Sequence, residues 1–261
     1  MSAGAEAGTE KRRSPLLVSI LIFGALALLV VLASRFYTDY LWFSSVSAST
    51  VFTTQLAARV GLFLGFGLLM GGGLFGSLVL AYRLRPPVRR ANLDSELLLQ
   101  LRDSLDKRSR TLMLLPAVVA GLLGGGVAAS QSQTFLAWTR ATDFGAPDAV
   151  FGLDASFYVF QLPWWRFVLS YVSFMVVACL VGSLLVHFLT GAMNSTAFRK
   201  SGNLKAPGRA AQRQISTLLG AALLLYGVAS FLDRYGYLTT QNNLFTGVNY
   251  TDATSRIPTS L

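Results

Sequence analysis

DFGAPDAVFGLDASFYVFQLPWW, residues Asp143–Trp165, is the one long segment between apolar runs that mixes carboxylates, turn formers and aromatics so densely. The chain around it consists of five apolar stretches, near residues 15–34, 60–82, 112–129, 167–190 and 215–232. About 20 residues at ~1.5 Å rise cover the ~30 Å hydrocarbon core of a bilayer, so each stretch is long enough to span. Only 13% of the 261 residues are charged, against about 25% in soluble domains. These features predict an all-α membrane protein of five transmembrane helices. Interfacial amphipathic helices are expected on both its cytoplasmic and its external side.

The first stretch carries thirteen Leu, Ile, Val or Phe residues between Leu16 and Leu32. At roughly −0.3 to −0.6 kcal/mol each, they favour insertion by several kcal/mol. Lys11-Arg12-Arg13 in front of it also fits a signal peptide, and Val31 to Ser34 faintly resembles a cleavage site. The apolar core exceeds the ~7 to 15 residues usual for a signal, so an uncleaved signal anchor is the preferred reading.

The net charge of +10 lies in three segments: the tail before the first stretch, residues 83–110, and residues 199–213. The remaining six Arg and six Asp balance. Such asymmetry places the basic segments, and the N-terminus, in the cytoplasm of a plasma-membrane protein, and the C-terminus of this chain outside. Residues 1–14 are read as a disordered cytoplasmic tail, 15–232 as a helical membrane block and 233–261 as an external tail. The basic segments suit the anionic headgroups of the lipid bilayer, and no nucleic-acid partner is expected.

Between the first two stretches, Tyr37, Tyr40, Leu41, Val51 and Phe52 fall at helical spacing and suggest an external interfacial helix. Residues 92–110 predict a second surface helix on the cytoplasmic side. Its charges, Arg102 to Arg108 among them, would each cost roughly 2.5 to 3.5 kcal/mol at the bilayer centre. Arg85-Pro86-Pro87 should end the second span before it. Gly61, Gly65, Gly72 and Gly76 share one arc of that span. Ala117, Gly121, Gly124, Gly125 and Ala128 form a similar arc of the third, so the two spans are expected to pack through these faces. The functional alternative is a hinge at Gly71-Gly72-Gly73.

Within the loop, Gly145, Pro147 and Gly152 break regular structure, and Pro163-Trp164-Trp165 should open the fourth span with tryptophans at headgroup level. Asp143, Asp148 and Asp154 invite a cation reading, but their spacing matches no recognised calcium loop, and capping or turning the chain is the simpler role. With Phe157, Tyr158, Pro163, Trp164 and Trp165 they form the candidate functional loop. His187, the only histidine, sits about one turn from the cytoplasmic end of its span and is read as structural. Cys179 is read as a small packing residue. No cofactor, metal or catalytic set is expected, since no nucleophile or metal-ligand cluster accompanies the aspartates.

Three segments together resemble an uncharacterised family of large, mainly actinobacterial multi-pass membrane proteins, uncharacterised protein family 0182. The first holds Tyr40 to Phe43, Val51-Phe52 and Arg59. The second runs from Phe144-Gly145 through Asp148 and Phe151–Phe160 to Leu162-Pro163. The third joins Asp233-Arg234-Tyr235 to Gly247–Ala253. The resemblance implies that this chain is the N-terminal membrane part of a protein with about seven helices and a large extracytoplasmic region. One departure is Asp148-Ala149, where the family pattern has Asp-Pro. No catalytic residue is implied. Three roles follow: an anchor for an extracytoplasmic domain or an envelope or membrane protein partner; a transporter or flippase-like protein for a lipid or apolar solute; and an envelope enzyme, which the residues favour least.

Overall fold

The structure, a computed structural model, describes residues 15–84, 96–190, 209–239, 247, 249–251 and 254–255. The expected tail at 1–14, the stop at Arg85-Pro86-Pro87, the loop at 202–208 and most of the segment 233–261 lie outside them. Six helices follow in order: α1 Pro15–Ser45, α2 Ser49–Arg83, α3 Glu96–Ser130, α4 Ser132–Thr139, α5 Leu162–Leu189 and α6 Arg209–Asp233. A π-helical turn, Phe157–Gln161, leads into α5, and a 3-10 turn, Arg234–Thr239, follows α6. Five segments are long and apolar enough to cross a membrane: Ile22–Ser45, Ser49–Arg83, Ser109–Ser130, Phe157–Leu189 and Arg209–Thr239.

The chain divides into two units, residues 1–56 and 57–261. In the first, the expected interfacial helix is absent as a separate element. Instead α1 runs on to Ser45 and α2 starts at Ser49. The turn between them passes through Ser47, with φ 56°, and is held by Ala48 N–H donating to Phe43 O at 2.9 Å. Phe52 meets Phe36, Tyr40 and Phe43 at 5.4, 5.8 and 5.6 Å between ring centroids. The aromatics therefore brace a helical hairpin rather than lining one helix.

In the second unit the expected surface helix at 92–110 is likewise not separate, because α3 continues unbroken from Glu96 to Ser130. Ser109-Arg110-Thr111 contains no breaker, and a change from charged to apolar side chains does not interrupt backbone hydrogen bonding. Its 35 residues reach about 52 Å at 1.5 Å each, longer than a hydrocarbon core.

Helices α2 and α3 approach at backbone distance. A Cβ on Gly67 would lie 2.9 Å from Gly121 O, one on Gly71 3.0 Å from Ala117 O, and one on Gly125 2.6 Å from Phe63 O. Both helices thus contribute glycines four residues apart, the spacing that lets membrane helices touch. The arc Gly61, Gly65, Gly72 and Gly76 is not the contact face, since a Cβ on any of them meets nothing within 4 Å. Which arc turns inward depends on the bulky neighbours: Leu62, Met70, Leu74 and Leu78 of α2 are buried, and they rotate Gly67 and Gly71 toward α3. Gly73 faces Met175 of α5, and α2 is a continuous helix through residues 71–73, so this triplet is not a break in the chain.

Packing forms two clusters. Leu74, Leu78, Ala81, Met113, Cys179 and Val186 make one, and Leu62, Met70, Ala128, Trp164 and Tyr171 the other. Gly125→Ala should destabilise the block by about 1–3 kcal/mol, because the methyl meets backbone that cannot yield. Gly61→Ala and Gly65→Ala should be neutral or stabilising, since alanine is the better helix former where space is open. Thermal unfolding in detergent separates the two classes; equal effects would contradict this contact face.

Candidate functional site

The segment between α4 and α5 is built around two carboxylates. Asp148 Oδ1 accepts from Val150 N–H and Phe151 N–H, both at 2.7 Å, while Oδ2 accepts from Leu153 N–H at 3.0 Å and Tyr158 Oη–H at 2.8 Å. A carboxylate offers about four lone-pair sites, so Asp148 is saturated from within. Asp154 Oδ1 accepts from Phe144 N–H at 3.0 Å and Ser156 N–H at 2.8 Å, and Oδ2 from Ala146 N–H at 3.0 Å. Backbone bonds close the same loop, Asp148 N–H to Leu153 O at 2.8 Å and Ala155 N–H to Ala146 O at 3.0 Å. Gly145 and Gly152 turn the chain at φ +69° and +67°, a region that disfavours side chains. The single Ser156 hydroxyl proton is shared between Asp154 and Asp143, whose Oδ1 lies 3.4 Å from Ser156 Oγ.

These donors set the ionisation of the loop. The Ser156 hydroxyl, then the N–H groups of Phe144, Ser156 and Ala146, hold Asp154 far below the usual carboxylate range. At Asp148 burial acts in the opposite direction and is outweighed by Phe151 N–H, the Tyr158 hydroxyl, and the N–H groups of Val150 and Leu153. Both aspartates are therefore ionised acceptors committed to the chain's own donors. Among the described residues no group of three or more His, Cys, Asp or Glu is placed to hold a metal ion.

Tyr158 carries the loop into the π-helical turn before α5. Leu162 N–H donates to Phe157 O, five residues back, and the following Pro163 has no N–H to give Val159 O; a wider turn suits that missing donor. Of the two tryptophans that open α5, Trp164 faces the neighbouring helices. It is buried, stacked on Trp138 at 5.6 Å and 22°, with Phe66, Phe135 and Phe167 around it. Only Trp165 remains exposed, at 47%.

Phe151 and Phe157 close on Tyr235 at 4.9 and 5.4 Å, so the loop docks on the turn that follows α6. Arg234 covers the Phe231 ring at 3.7 Å and donates to Tyr235 Oη at 2.7 Å. Arg166 pairs with Asp233 at 3.2 Å. A Cβ at Gly236 would meet the Arg166 guanidinium, which would have to swing aside. The loop thus joins α5 to the end of α6, an arrangement hidden in the sequence by some 80 intervening residues.

A second polar group, inside the helices, was legible only in part. His187 is fully buried, and its Nε2 lies 3.1 Å from Gln214 Oε1. Gln214 Nε2 donates to Ser77 O at 2.9 Å and Ser183 Oγ at 3.0 Å, and the Ser77 and Ser183 hydroxyls are 2.7 Å apart. A carbonyl only accepts, so the Ser77 contact fixes which end of the amide points where. His187 Nε2 consequently carries the proton, and its Nδ1 is a bare acceptor with no donor among the described residues. The signal in the sequence was polar residues at matching depth in three apolar runs, but their pairing needs the tertiary structure.

Asp148→Ala should strip an acceptor from four donors and speed amide hydrogen exchange at Val150, Phe151 and Leu153, while Tyr158→Phe, which removes one donor, should have a smaller effect. Because both folded-state values lie below the ordinary 3.8, the carboxylates add stability above that pH. That contribution disappears as pH falls below it. Protection factors, that is exchange rates corrected for the intrinsic pH dependence of base-catalysed exchange, should stay flat from neutrality down to about pH 4.5 and fall on further acidification; a transition near pH 6 would contradict the assignment.

The chain matches the model of the Uncharacterised protein family (UPF0182) over residues 16–261. It is 34% identical over 254 residues to a UPF0182 protein of Streptomyces coelicolor, covering 95% of this chain and 25% of that protein. Against a UPF0182 protein of Frankia casuarinae it is 36% identical over 250 residues, 95% and 24% of the two chains. Against one from Mycobacterium tuberculosis it is 37% identical over 258 residues, 96% and 25%. The chain therefore spans about a quarter of the length of the curated relatives it matches. No solved structure matches it. On the full-length family match and these relatives, the chain belongs to the uncharacterised protein family UPF0182.

Proposed function

We propose that this helical block anchors and positions an extracytoplasmic region or an envelope or membrane protein partner, with the Asp143–Trp165 loop as its docking platform. The observation that carries this reading is the saturation of Asp148 by four internal donors. Carboxylates spent in this way hold a shape and leave little for acid-base or cation chemistry. The braced loop presents apolar side chains outward, Phe144 at 53% and Val150 at 48% exposure. Singly exposed apolar groups are ordinary, but a rigid loop that displays them beside Trp165 suits protein contact. Sidedness is supported by the confinement of the +10 net charge to the other ends of the helices.

A second reading, a transporter or flippase-like protein for a lipid or apolar solute, has one observation in its favour. Polar groups inside membrane helices are functional candidates by default, and His187, Gln214, Ser77 and Ser183 form such a group. Unchanged flux in vesicles carrying Gln214→Leu would remove it.

The anchor reading is tested in the full-length protein. Val150→Cys should react with an impermeant maleimide in intact cells and, with a short cross-linker, join the loop to the extracytoplasmic region or partner. Adding Asp148→Ala and Asp154→Ala should reduce that cross-link several-fold while membrane insertion is retained. Labelling only after lysis would reverse the sidedness, and an undiminished cross-link would remove the platform role.

A further inference from the structure

A groove of about 460 Å³ lies between α2 and α6 at the end of the helices opposite the Asp143–Trp165 loop. Its lining runs from Gly73 to Leu84 on the α2 side and from Ala210 to Leu218 on α6, with Ser77 bonded to Gln214. Its lining advances eleven residues from Gly73 to Leu84 and eight from Ala210 to Leu218, about 12 to 16 Å at 1.5 Å per residue, comparable to the hydrocarbon depth of one leaflet. Gly76 explains why the groove is open: a Cβ there would meet nothing within 4 Å. The walls are apolar apart from Thr217, whose hydroxyl donates to Arg213 O of its own helix, the Ser77–Gln214 pair and Arg213. Ser77 and Gln214 are polar but already bonded to each other and to Ser183. Arg213, the residue before Gln214, also lines the groove, and no carboxylate pairs with it among the described residues.

A guanidinium among the lining residues and an apolar trough beside it fit an amphipathic anion. We infer that the groove binds one anionic phospholipid, its phosphate on Arg213 and one acyl chain along Gly76 and Gly73. Charge complementarity favours this occupant over another helix. The run from residue 199 to 213 holds five basic residues and no acid, whereas a neutral apolar helix would offer Arg213 no counter-charge. Guanidinium also matches phosphate oxygens in pairs, which sets the headgroup's orientation. The site does not depend on which side of the membrane the loop occupies.

The experiment is native mass spectrometry of the full-length protein in detergent, titrated with dioleoylphosphatidylglycerol or dioleoylphosphatidylcholine. Wild type should retain one phosphatidylglycerol with several-fold preference over phosphatidylcholine. Arg213→Gln should bring that preference close to one. Gly76→Leu should lower retention of both lipids about tenfold with an unchanged melting temperature, and Gly72→Leu, which faces another groove, should change neither. If Gly76→Leu fails to fold, Gly76→Cys in a Cys179→Ala background gives the same answer: phosphatidylglycerol should slow its alkylation by a membrane-permeant maleimide. Full retention in Gly76→Leu, or undiminished preference in Arg213→Gln, overturns the assignment. So does displacement by glycerol phosphate at concentrations comparable to the lipid, which would mean a headgroup-only site. Disulfide-linked dimers of Gly76→Cys would assign the groove to a second copy and overturn it equally.

Discussion

Hydrocarbon offers a buried polar group no partner and gives two apolar helices no reason to separate from lipid, so association must come from close packing and internal hydrogen bonds. Residues 57–261 meet both demands. Gly67 and Gly71 of α2 lie against Gly121 and Gly125 of α3 at distances only glycine permits. Tyr171 Oη–H donates across to Phe66 O at 2.8 Å, and Gln214 ties α6 to α2 and α5. The positions of the loop, the tryptophan stack and the lipid groove all follow from how these contacts rotate the helices.

The same accounting governs the loop outside the helices. Its backbone turns too sharply for regular structure, so its N–H groups need acceptors, and Asp148 and Asp154 supply them. Aromatic contacts from Phe151 and Phe157 to Tyr235 then dock the braced loop on the end of α6. A segment rich in acids and aromatics, which in isolation reads as a ligand site, is therefore spent largely on holding itself and its neighbours.

Much of the architecture was legible, and the errors share one cause. Apolar length located the five described segments that are long and apolar enough to cross a membrane, but helices ran past the apolar limits: α1 to Ser45 and α3 back to Glu96. Backbone hydrogen bonding continues until a breaker or a turn stops it, whatever the side chains prefer. The glycine arcs were read by angle alone, which cannot say which arc of a helix faces a neighbour. For the same reason the sequence could not say which of Trp164 and Trp165 faces the other helices: adjacent residues on a helix point about 100° apart, and only Trp165 of the two stays exposed.

By itself the sequence determined the class, the number of apolar helices and the turn-forming role of the loop aspartates. These depend on local quantities: residues per hydrocarbon thickness, charge per connector, and the tendency of Asp and Gly to turn the chain. The tertiary structure alone decided that Gly67 and Gly71 rather than Gly61, Gly65, Gly72 and Gly76 meet α3. It likewise decided that His187 finds Gln214, and that a leaflet-deep groove opens between α2 and α6. Each of these depends on the rotation of one helix about its axis relative to another. That rotation is set jointly by all the side chains in the contact and is carried by no single segment.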